Sequence, residues 1–196
     1  MLNRSRQIGL LVVLVVALAA CGATATAPPS PTPPGPTAAP SSQATAPPFA
    51  CGTTVSEPGT VPLAHMGGFA VANDAGVGRI TFTFQPIGDV AAIPQVDVRP
   101  GTPPFTKDPS GLPLDVAGTS FVVITLQGGT ALDESYNPTF EGPFDVTPGG
   151  SPIVDVRRAG DFEAVSSWVV GLDGSPCVRI IPPDGSGRLV IELSTG

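Results

Sequence analysis

The clearest structural signal in the chain lies in residues 79–84, which read Arg79-Ile80-Thr81-Phe82-Thr83-Phe84. The large apolar residues occupy every second position, so an extended chain would present one apolar face and one polar face. β-Branched and aromatic side chains of this kind fit the pleated, half-buried surface of a sheet. The hexapeptide therefore predicts a β-strand that packs one face against a core.

Related segments follow along the rest of the chain, separated by Gly, Pro and Asp, which are typical turn residues. Residues 121–126 are apolar on both faces, which predicts a central strand that is covered on both sides. Pro113 predicts an edge strand, because proline cannot donate a hydrogen bond to a neighbouring strand. The other segments with alternating apolar residues are 95–99, 112–116, 154–157, 162–172 and 189–193.

The segment from residue 162 to residue 172 contains Trp168, the one tryptophan of the chain. Trp168 shares its predicted strand face with Phe162, Ala164, Val170 and Leu172. We therefore expect this face, including Phe162 and Trp168, to be buried in the core.

The predicted fold is all-β. Beyond residue 20 no stretch shows a sustained period of 3.6 residues, although residues 133–136 are compatible with one helical turn. About eight short strands with closely spaced turn signals are typical of a β-sandwich or a small barrel. We expect a single β-sandwich of about eight mostly antiparallel strands over residues 51–196, following a disordered, Pro-rich tether.

Residues 1–20 have the pattern of a secretory signal peptide. Arg4 and Arg6 precede an unbroken apolar run from Ile8 to Ala20. As a helix this run would be about 20 Å long, which is shorter than the ~30 Å hydrocarbon core of a bilayer. A cleaved signal peptide is therefore expected here in preference to a transmembrane anchor.

The apolar run ends in Leu18-Ala19-Ala20-Cys21, which resembles the lipobox of bacterial lipoproteins. The resemblance implies that Cys21 becomes the first residue of the mature protein and carries a diacylglycerol thioether together with a further acyl chain such as palmitate. Two or more acyl chains hold a protein stably at a bilayer, whereas one chain holds it only marginally. The expected location is the extracytoplasmic face of the cell membrane, with the lipid as the membrane contact.

Residues 21–50 form the predicted tether. Between Ala23 and Pro48 the chain contains Ala, Thr, Pro, Ser and Gly with one Gln, and no charged or aromatic residue. Such a segment buries too little apolar surface to offset its conformational entropy. In a polyproline II conformation it would extend by at most ~80 Å. Interleaved Thr, Ser and Pro leave O-glycosylation and an unmodified spacer equally open.

The charge balance bears on partners. The 196 residues carry a net charge of −7, and Lys107 is the single lysine. Loss of Arg4 and Arg6 with the signal peptide would make the mature protein more negative still. Nucleic acid is excluded as a partner, because nothing in the chain could neutralise several phosphates.

The cysteine count is three, and it becomes even once Cys21 is assigned to lipid. Cys51 and Cys177 then remain in an oxidising compartment, and we expect a disulfide between them. A metal site on these two cysteines is not expected, because the chain has one histidine and no second cysteine pair. No cofactor is expected either.

Catalytic candidates are few. The single histidine, His65, is expected in a loop ahead of the strands, and no Gly-x-Ser-x-Gly motif accompanies it. Asp161 and Glu163 stand two positions apart, so in a strand they would share one face. That spacing is compatible with an inverting glycoside hydrolase, but alternate acidic residues are usually a solvated strand face. A carboxylate-dependent envelope hydrolase is therefore the alternative, and the first expectation is a non-catalytic protein.

Binding candidates lie in the long segment between residues 130 and 150. Tyr136 stands in Ser135-Tyr136-Asn137-Pro138 and is the aromatic residue most available to a ligand. Calcium was weighed because the segment is acidic, but its spacing fits no known calcium loop. The acidic residues concerned are Asp133, Glu134, Glu141 and Asp145.

Several stretches resemble the AMIN-like domain of bacterial lipoproteins, and they occur in the order of that family. The most specific are the region from Asp161-Phe162-Glu163 to Val170-Gly171-Leu172 and the closing strand. The matching segments are Gly78-Arg79-Ile80-Thr81-Phe82-Thr83-Phe84, Gly101-Thr102-Pro103-Pro104-Phe105, Leu112-Pro113-Leu114-Asp115-Val116-Ala117-Gly118, Val156-Arg157-Arg158-Ala159-Gly160-Asp161-Phe162-Glu163, Trp168-Val169-Val170-Gly171-Leu172 and Gly187-Arg188-Leu189-Val190-Ile191-Glu192-Leu193.

The resemblance implies a β-sandwich that serves in envelope localisation, and AMIN domains proper are implicated in peptidoglycan binding. Two positions depart from the family pattern: Gly78 replaces an acidic residue before Arg79, and Glu192 replaces the usual Asp. Residues and resemblance together predict a lipid-anchored envelope module that binds cell-wall glycan or an envelope protein.

Overall fold

A computed structural model describes residues 46–196. The predicted signal peptide (1–20), Cys21 and the tether up to residue 45 lie outside the described residues. Within 46–196 there is no helix long and apolar enough to cross a membrane.

The described part of the chain is all-β, as predicted, and contains more strands than the eight expected. Several of the additional strands are only two or three residues long, which is too short for an alternating pattern to show in the sequence. The strands are β1 (Ala50–Cys51), β2 (Val55–Glu57), β3 (Ala64–Asp74), β4 (Val77–Phe84), β5 (Gln95–Gly101), β6 (Phe105–Lys107), β7 (Leu112–Leu114), β8 (Ser120–Gln127), β9 (Gly129–Thr130), β10 (Ile153–Phe162), β11 (Val165–Leu172), β12 (Pro176–Ile181) and β13 (Arg188–Thr195).

These strands form three sheets with mostly antiparallel pairing. One sheet has the order β1-β12-β13-β4-β3-β9, a second has the order β10-β11-β8-β5-β2, and β6 pairs with β7 in a small third sheet. Among the strand pairs of the described residues, β3 and β9 are parallel and the others are antiparallel. The two larger sheets contribute side chains to one buried cluster, so the fold is sandwich-like.

The core confirms the alternation of residues 79–84. Ile80, Phe82 and Phe84 are buried together with side chains of the second sheet. Trp168 is fully buried, and its ring lies edge-on to Phe82 at a centroid distance of 4.8 Å. Burying one such large apolar side chain stabilises the fold by about 1.5–3 kcal/mol. The prediction that Trp168 belongs to the core is therefore confirmed.

Strand β8 is central and covered on both faces, as expected from residues 121–126. Its inner face contributes Val122 and Ile124 to the main core. On its outer face, Val123 packs in a second cluster with Leu114 of the β6–β7 hairpin. Pro113 lies in that hairpin, whose two-stranded sheet consists of edges alone.

Two links across the chain hold distant segments together. A disulfide joins Cys51 to Cys177 and so ties β1 to β12, as predicted. The second link is the Asn73 amide, which donates to the carbonyl oxygens of Gly149 and Ile153 and accepts the N–H of Ile153. Because β3 and β10 belong to different sheets, the Asn73 side chain connects the two sheets at this end.

The expectation that Phe162 and Ala164 share the buried face of Trp168 is wrong. Strand β10 ends at Phe162 and β11 begins at Val165, so Glu163 and Ala164 form a two-residue hairpin turn. Both turn residues have positive φ, 51° and 58°, as in a type I′ turn. The chain reverses here, and the side chain of Phe162 is 48% exposed.

Candidate functional site

A groove of about 560 Å³ lies where three segments meet: the start of β3, the loop that follows β9 and the β10–β11 turn. Its lining includes the apolar residues Leu63 and Leu132. The groove brings together candidates that are far apart in the sequence. Those candidates are His65, Asp133, Glu134, Tyr136, Asp161 and Glu163.

The loop after β9 is organised by Asp133. Its Oδ1 accepts the backbone N–H groups of Ser135 and Asn137, each at 2.8 Å, and the Asn137 amide also donates to the carboxylate. These bonds, led by the backbone N–H of Asn137, lower the pKa of Asp133. Residues 133–136 form a single turn, in which the Tyr136 N–H donates to the Asp133 carbonyl oxygen at 3.0 Å, and the chain does not continue there as a helix.

The same loop presents Tyr136 to solvent. Tyr136 has a φ of 62°, and its side chain is 83% exposed at the groove. A positive φ is uncommon for an aromatic residue and is retained where the surrounding structure enforces it. Tyr136, Glu163 and Ala164, which all line the groove, are three of the four non-glycine residues with positive φ in 46–196. The type I′ turn accounts for the positive φ of Glu163 and Ala164, so Tyr136 is the groove residue whose backbone conformation is unusual.

Asp161 fixes the loop and the hairpin relative to each other. Its Oδ2 accepts the backbone N–H of Ala131 at 2.9 Å and a guanidinium N–H of Arg158 at 2.7 Å. The side chain is 2% exposed, and Oδ1 has no hydrogen-bond partner among the described residues. Burial lowers the pKa of Arg158, while the charges of Asp161 and Asp145 oppose that shift.

The expectation that Asp161 and Glu163 form a pair on one strand face is wrong. Asp161 lies within β10, and its carboxylate is buried and ion-paired. Glu163 lies in the turn that follows and has a positive φ. Both line the groove, but they do so from different backbone conformations. The period of two applies only while a strand continues, and the strand ends at Phe162.

His65 lies in β3 and not in the expected loop. Its Nδ1 is 2.7 Å from the carbonyl oxygen of Leu132. Because a carbonyl oxygen can only accept, Nδ1 is the donor, and in the neutral ring Nε2 is an acceptor. His65 therefore connects the start of β3 to the loop and adds an acceptor to the groove.

The acidic residues considered for calcium do not converge. Asp145 accepts the backbone N–H of Arg158 at 2.9 Å, and neither Asp145 nor Glu141 lines the groove. Within residues 46–196 no group of three or more His, Cys, Asp or Glu side chains is arranged to hold a metal ion.

A second depression of about 570 Å³ also has Asp161 among its lining residues. It is lined by Lys107, Phe144 and Arg158 among others, and the Arg158 guanidinium lies 4.2 Å from the centroid of the Phe144 ring. Arg158 and Asp161 form an ion pair there, and the Asp145 carboxylate accepts the backbone N–H of Arg158. The first groove is the stronger candidate site because its aromatic residues are exposed and its carboxylates at the rim are without ion pairs among the described residues.

Sequence reasoning missed Phe162 as a site residue. The available signal was the close spacing of two alternating segments around Glu163-Ala164, which is compatible with a two-residue hairpin loop. The signal was weak because the turn lacks the Asn-Gly or Asp-Gly pair that usually marks such a loop.

The two positions that depart from the family pattern have clear structural roles. Glu192 lies opposite Arg79 on one side and Arg179 on the other, and it forms ion pairs with both. Gly78 leaves the space that the Ile153 side chain fills, since a Cβ at Gly78 would clash with it.

Comparison with known proteins agrees with this architecture. The model of the AMIN-like domain family matches residues 65–195, which is well over half of the chain and includes every residue of the groove apart from Leu63. No curated protein and no solved structure matches the chain. The chain therefore belongs to the AMIN-like domain family.

Proposed function

We propose that this protein is a lipid-anchored, extracytoplasmic module that binds the glycan of peptidoglycan through the groove and does not cleave it. The AMIN-like family fits a cell-envelope module, and AMIN domains generally bind peptidoglycan. The family also suggests an extracytoplasmic location. The groove, the anchor and the absence of catalysis are the parts that we add.

The observation that carries the proposal is the pair of exposed aromatic side chains at one groove. Tyr136 and Phe162 are among the few large apolar residues of 46–196 that remain exposed, and both line the groove beside carboxylates and His65. Sugar rings are bound by aromatic faces that provide apolar contact, while neighbouring polar groups fix the orientation of the hydroxyl groups. Exposed aromatic residues and acceptors are thus combined in one concave site.

The alternative, a carboxylate-dependent hydrolase, is supported less well. Glycoside hydrolysis by two carboxylates requires one of them to deliver a proton to the leaving group. Asp161 is buried, and its Oδ2 is held by Arg158 and by the N–H of Ala131. We therefore assign Asp161 a positioning role and assign no catalytic residue.

Peptidoglycan sedimentation tests the groove. We expect the wild-type chain to co-sediment with purified, insoluble peptidoglycan without releasing soluble fragments. Tyr136→Ala and Phe162→Ala should each weaken binding about 2- to 12-fold, from loss of an aromatic contact of about 0.5–1.5 kcal/mol. Leu112→Ala is the control, because Leu112 is exposed in the β6–β7 hairpin and is not a groove residue.

Two results would contradict the proposal. Equal sedimentation of the wild type and both aromatic variants would remove the groove as the binding site. Release of soluble fragments by the wild type, abolished in Glu163→Gln, would establish the hydrolase instead. If peptidoglycan fails to bind and cross-linking in cells captures one specific envelope protein, the partner is that protein.

The anchor is tested separately from the ligand. The lipobox-like sequence before Cys21 and the Pro-rich segment after it support attachment by lipid, with a reach of up to ~80 Å. We expect the wild type to incorporate labelled palmitate and to fractionate with membranes, and Cys21→Ala to do neither. Continued labelling and membrane retention of Cys21→Ala would refute the anchor.

A further inference from the structure

We propose that the groove recognises a primary amine, carried in its ammonium form beside a sugar ring or an aliphatic chain. This inference deepens the proposed function, on which it rests for the polymer that supplies the amine. It goes beyond that function by naming the chemical group of the ligand that the groove binds.

The first argument is the charge of the groove. Four carboxylates line it, those of Asp133, Glu134, Asp161 and Glu163, and no Lys or Arg is among its lining residues in 46–196. Of these four carboxylates, that of Asp161 forms an ion pair with Arg158, and the other three form no ion pair among the described residues. Concave surfaces of one charge sign with low-dielectric walls concentrate the opposite charge, so this groove favours a cationic group.

The second argument is the surplus of hydrogen-bond acceptors. Glu134 and Glu163 line the groove, are exposed, and form no ion pair among the described residues, so their carboxylate oxygens are accessible acceptors. The donor Nδ1 of His65 is already used by the carbonyl oxygen of Leu132, which leaves Nε2 as an acceptor in the neutral ring. An ammonium group offers three donors and no acceptor, which complements such a site.

The third argument is the position of the aromatic rings. Tyr136 and Phe162 line the same groove as the carboxylates, and the Leu63 and Leu132 side chains complete an apolar surface. Cations are attracted to the faces of aromatic rings, and the methylene groups next to an amine gain apolar contact. Carboxylates alone would attract any cation, whereas carboxylates with aromatic rings favour an organic ammonium group.

Peptidoglycan can supply this chemistry from two sources. One is the free side-chain amine of a diamino acid in a stem peptide that has not been cross-linked. The other is a glucosamine from which the N-acetyl group has been removed. Both present a primary amine, and the experiment distinguishes them.

The experiment compares peptidoglycan before and after treatment with acetic anhydride, which converts amines into neutral acetamides and leaves the glycan backbone intact. We expect acetylation to weaken sedimentation of the full-length protein at least 10-fold. Glu134→Gln and Glu163→Gln should each weaken binding to untreated peptidoglycan several-fold. Glu141→Gln, the same change at an exposed residue outside the groove, should bind like the wild type.

Soluble probes identify the source of the amine. Nα-acetyl-lysine amide and glucosamine oligomers carry the free amine, and Nα,Nε-diacetyl-lysine amide and N-acetylglucosamine oligomers are their matched neutral forms. We expect chemical-shift changes at the Tyr136 and Glu163 backbone amides with a free-amine probe and not with its acetylated partner. The free-amine probe that binds more tightly indicates the source.

The outcomes separate this inference from the proposed function. If acetylated peptidoglycan still binds and Tyr136→Ala weakens it, the function stands and the amine inference is overturned. If no peptidoglycan binds, the function fails, and the soluble probes decide the inference alone: groove shifts with a free amine support it, and no shifts overturn it.

Discussion

Replacing Glu192 with Gln is expected to destabilise the fold without disturbing its shape. Glu192 lies on β13 between β4 and β12, and it is buried. Its Oε2 accepts the Arg179 Nε hydrogen at 2.7 Å, and its Oε1 accepts Arg79 guanidinium hydrogens at 2.6 and 3.0 Å. Gln keeps the size of the side chain but removes the negative charge and one acceptor.

The size of the effect follows from the exposure of the two arginines. The Arg79 side chain is 53% exposed, so solvent screens its ion pair and limits its contribution to about 0.5 kcal/mol. The Arg179 side chain is 24% exposed, and hydrogen bonds of a less solvated charged pair contribute about 1.5–2 kcal/mol. We therefore expect Glu192→Gln to lower the free energy of unfolding by about 2–2.5 kcal/mol in total.

Urea denaturation followed by the fluorescence of Trp168 measures this loss, because Trp168 is the single tryptophan and is buried in the core. At a typical m-value the midpoint should fall by about 1–1.5 M urea. Glu141→Gln is the matched control, since Glu141 is exposed and makes no ion pair among the described residues. It should change stability by less than about 0.5 kcal/mol.

The effect should depend on pH in a direction that the ion pairs determine. Burial acts to raise the pKa of Glu192, but the hydrogen bonds and charges of Arg79 and Arg179 outweigh it, and the pKa is lowered. A lowered pKa in the folded state adds stability that is fully present above the unfolded pKa of about 4.3. That contribution is lost as the pH falls through the folded pKa, so wild type and Glu192→Gln should converge in acid.

Two results would refute this reasoning. A loss below about 0.5 kcal/mol at pH 7 would mean that the ion pairs add nothing beyond a neutral hydrogen bond. A loss that stays constant from pH 7 to acid would mean that the cause is packing and not charge. Double-mutant cycles with Arg79→Gln and Arg179→Gln should show the larger coupling for Arg179, because solvent screens it less.

Stability, binding and membrane attachment can each be tested with single or paired substitutions. Replacing Cys51 and Cys177 with Ser should cost about 2–5 kcal/mol, because their bond spans a sequence separation of 126 residues; unreduced wild type against the double variant in urea measures it. Gly171→Ala should prevent stable folding, since its Cβ would clash with the backbone oxygen of Ala117, whereas Gly149→Ala meets open space and should melt like the wild type. The aromatic groove variants should weaken peptidoglycan sedimentation, and Cys21→Ala should release the chain from membranes.

Much of the fold could be predicted from local pattern. The alternation in residues 79–84 correctly identified the buried face of β4, and the doubly apolar residues 121–126 correctly identified a central strand. The assignment of Trp168 to the core was correct, because a large aromatic side chain on the apolar face of a strand is buried when that face packs against the core. The disulfide followed from cysteine arithmetic, given an assignment of Cys21 that the described residues do not test.

The errors lie where a strand ends or where a polar side chain redirects the backbone. Phe162 continued an apolar alternation in the sequence, but the chain reverses directly after it. Residues 133–136 form one turn, but the Asp133 carboxylate, and not its carbonyl oxygen, accepts the Asn137 N–H that would continue the turn as a helix. Competition between a side-chain acceptor and a backbone acceptor depends on one residue, so it produces no periodic pattern in the sequence.

The sequence by itself determined the fold class, the core aromatic residue and the pairing of Cys51 with Cys177, because each depends on the order of residue types along the chain. Only the tertiary structure decided the site. His65, Tyr136 and Phe162 are separated by dozens of residues, and they meet because strand register places the start of β3, the loop after β9 and the β10–β11 turn together. The burial of Glu192 was likewise decided by register, since its two arginine partners lie on neighbouring strands that the sequence does not order.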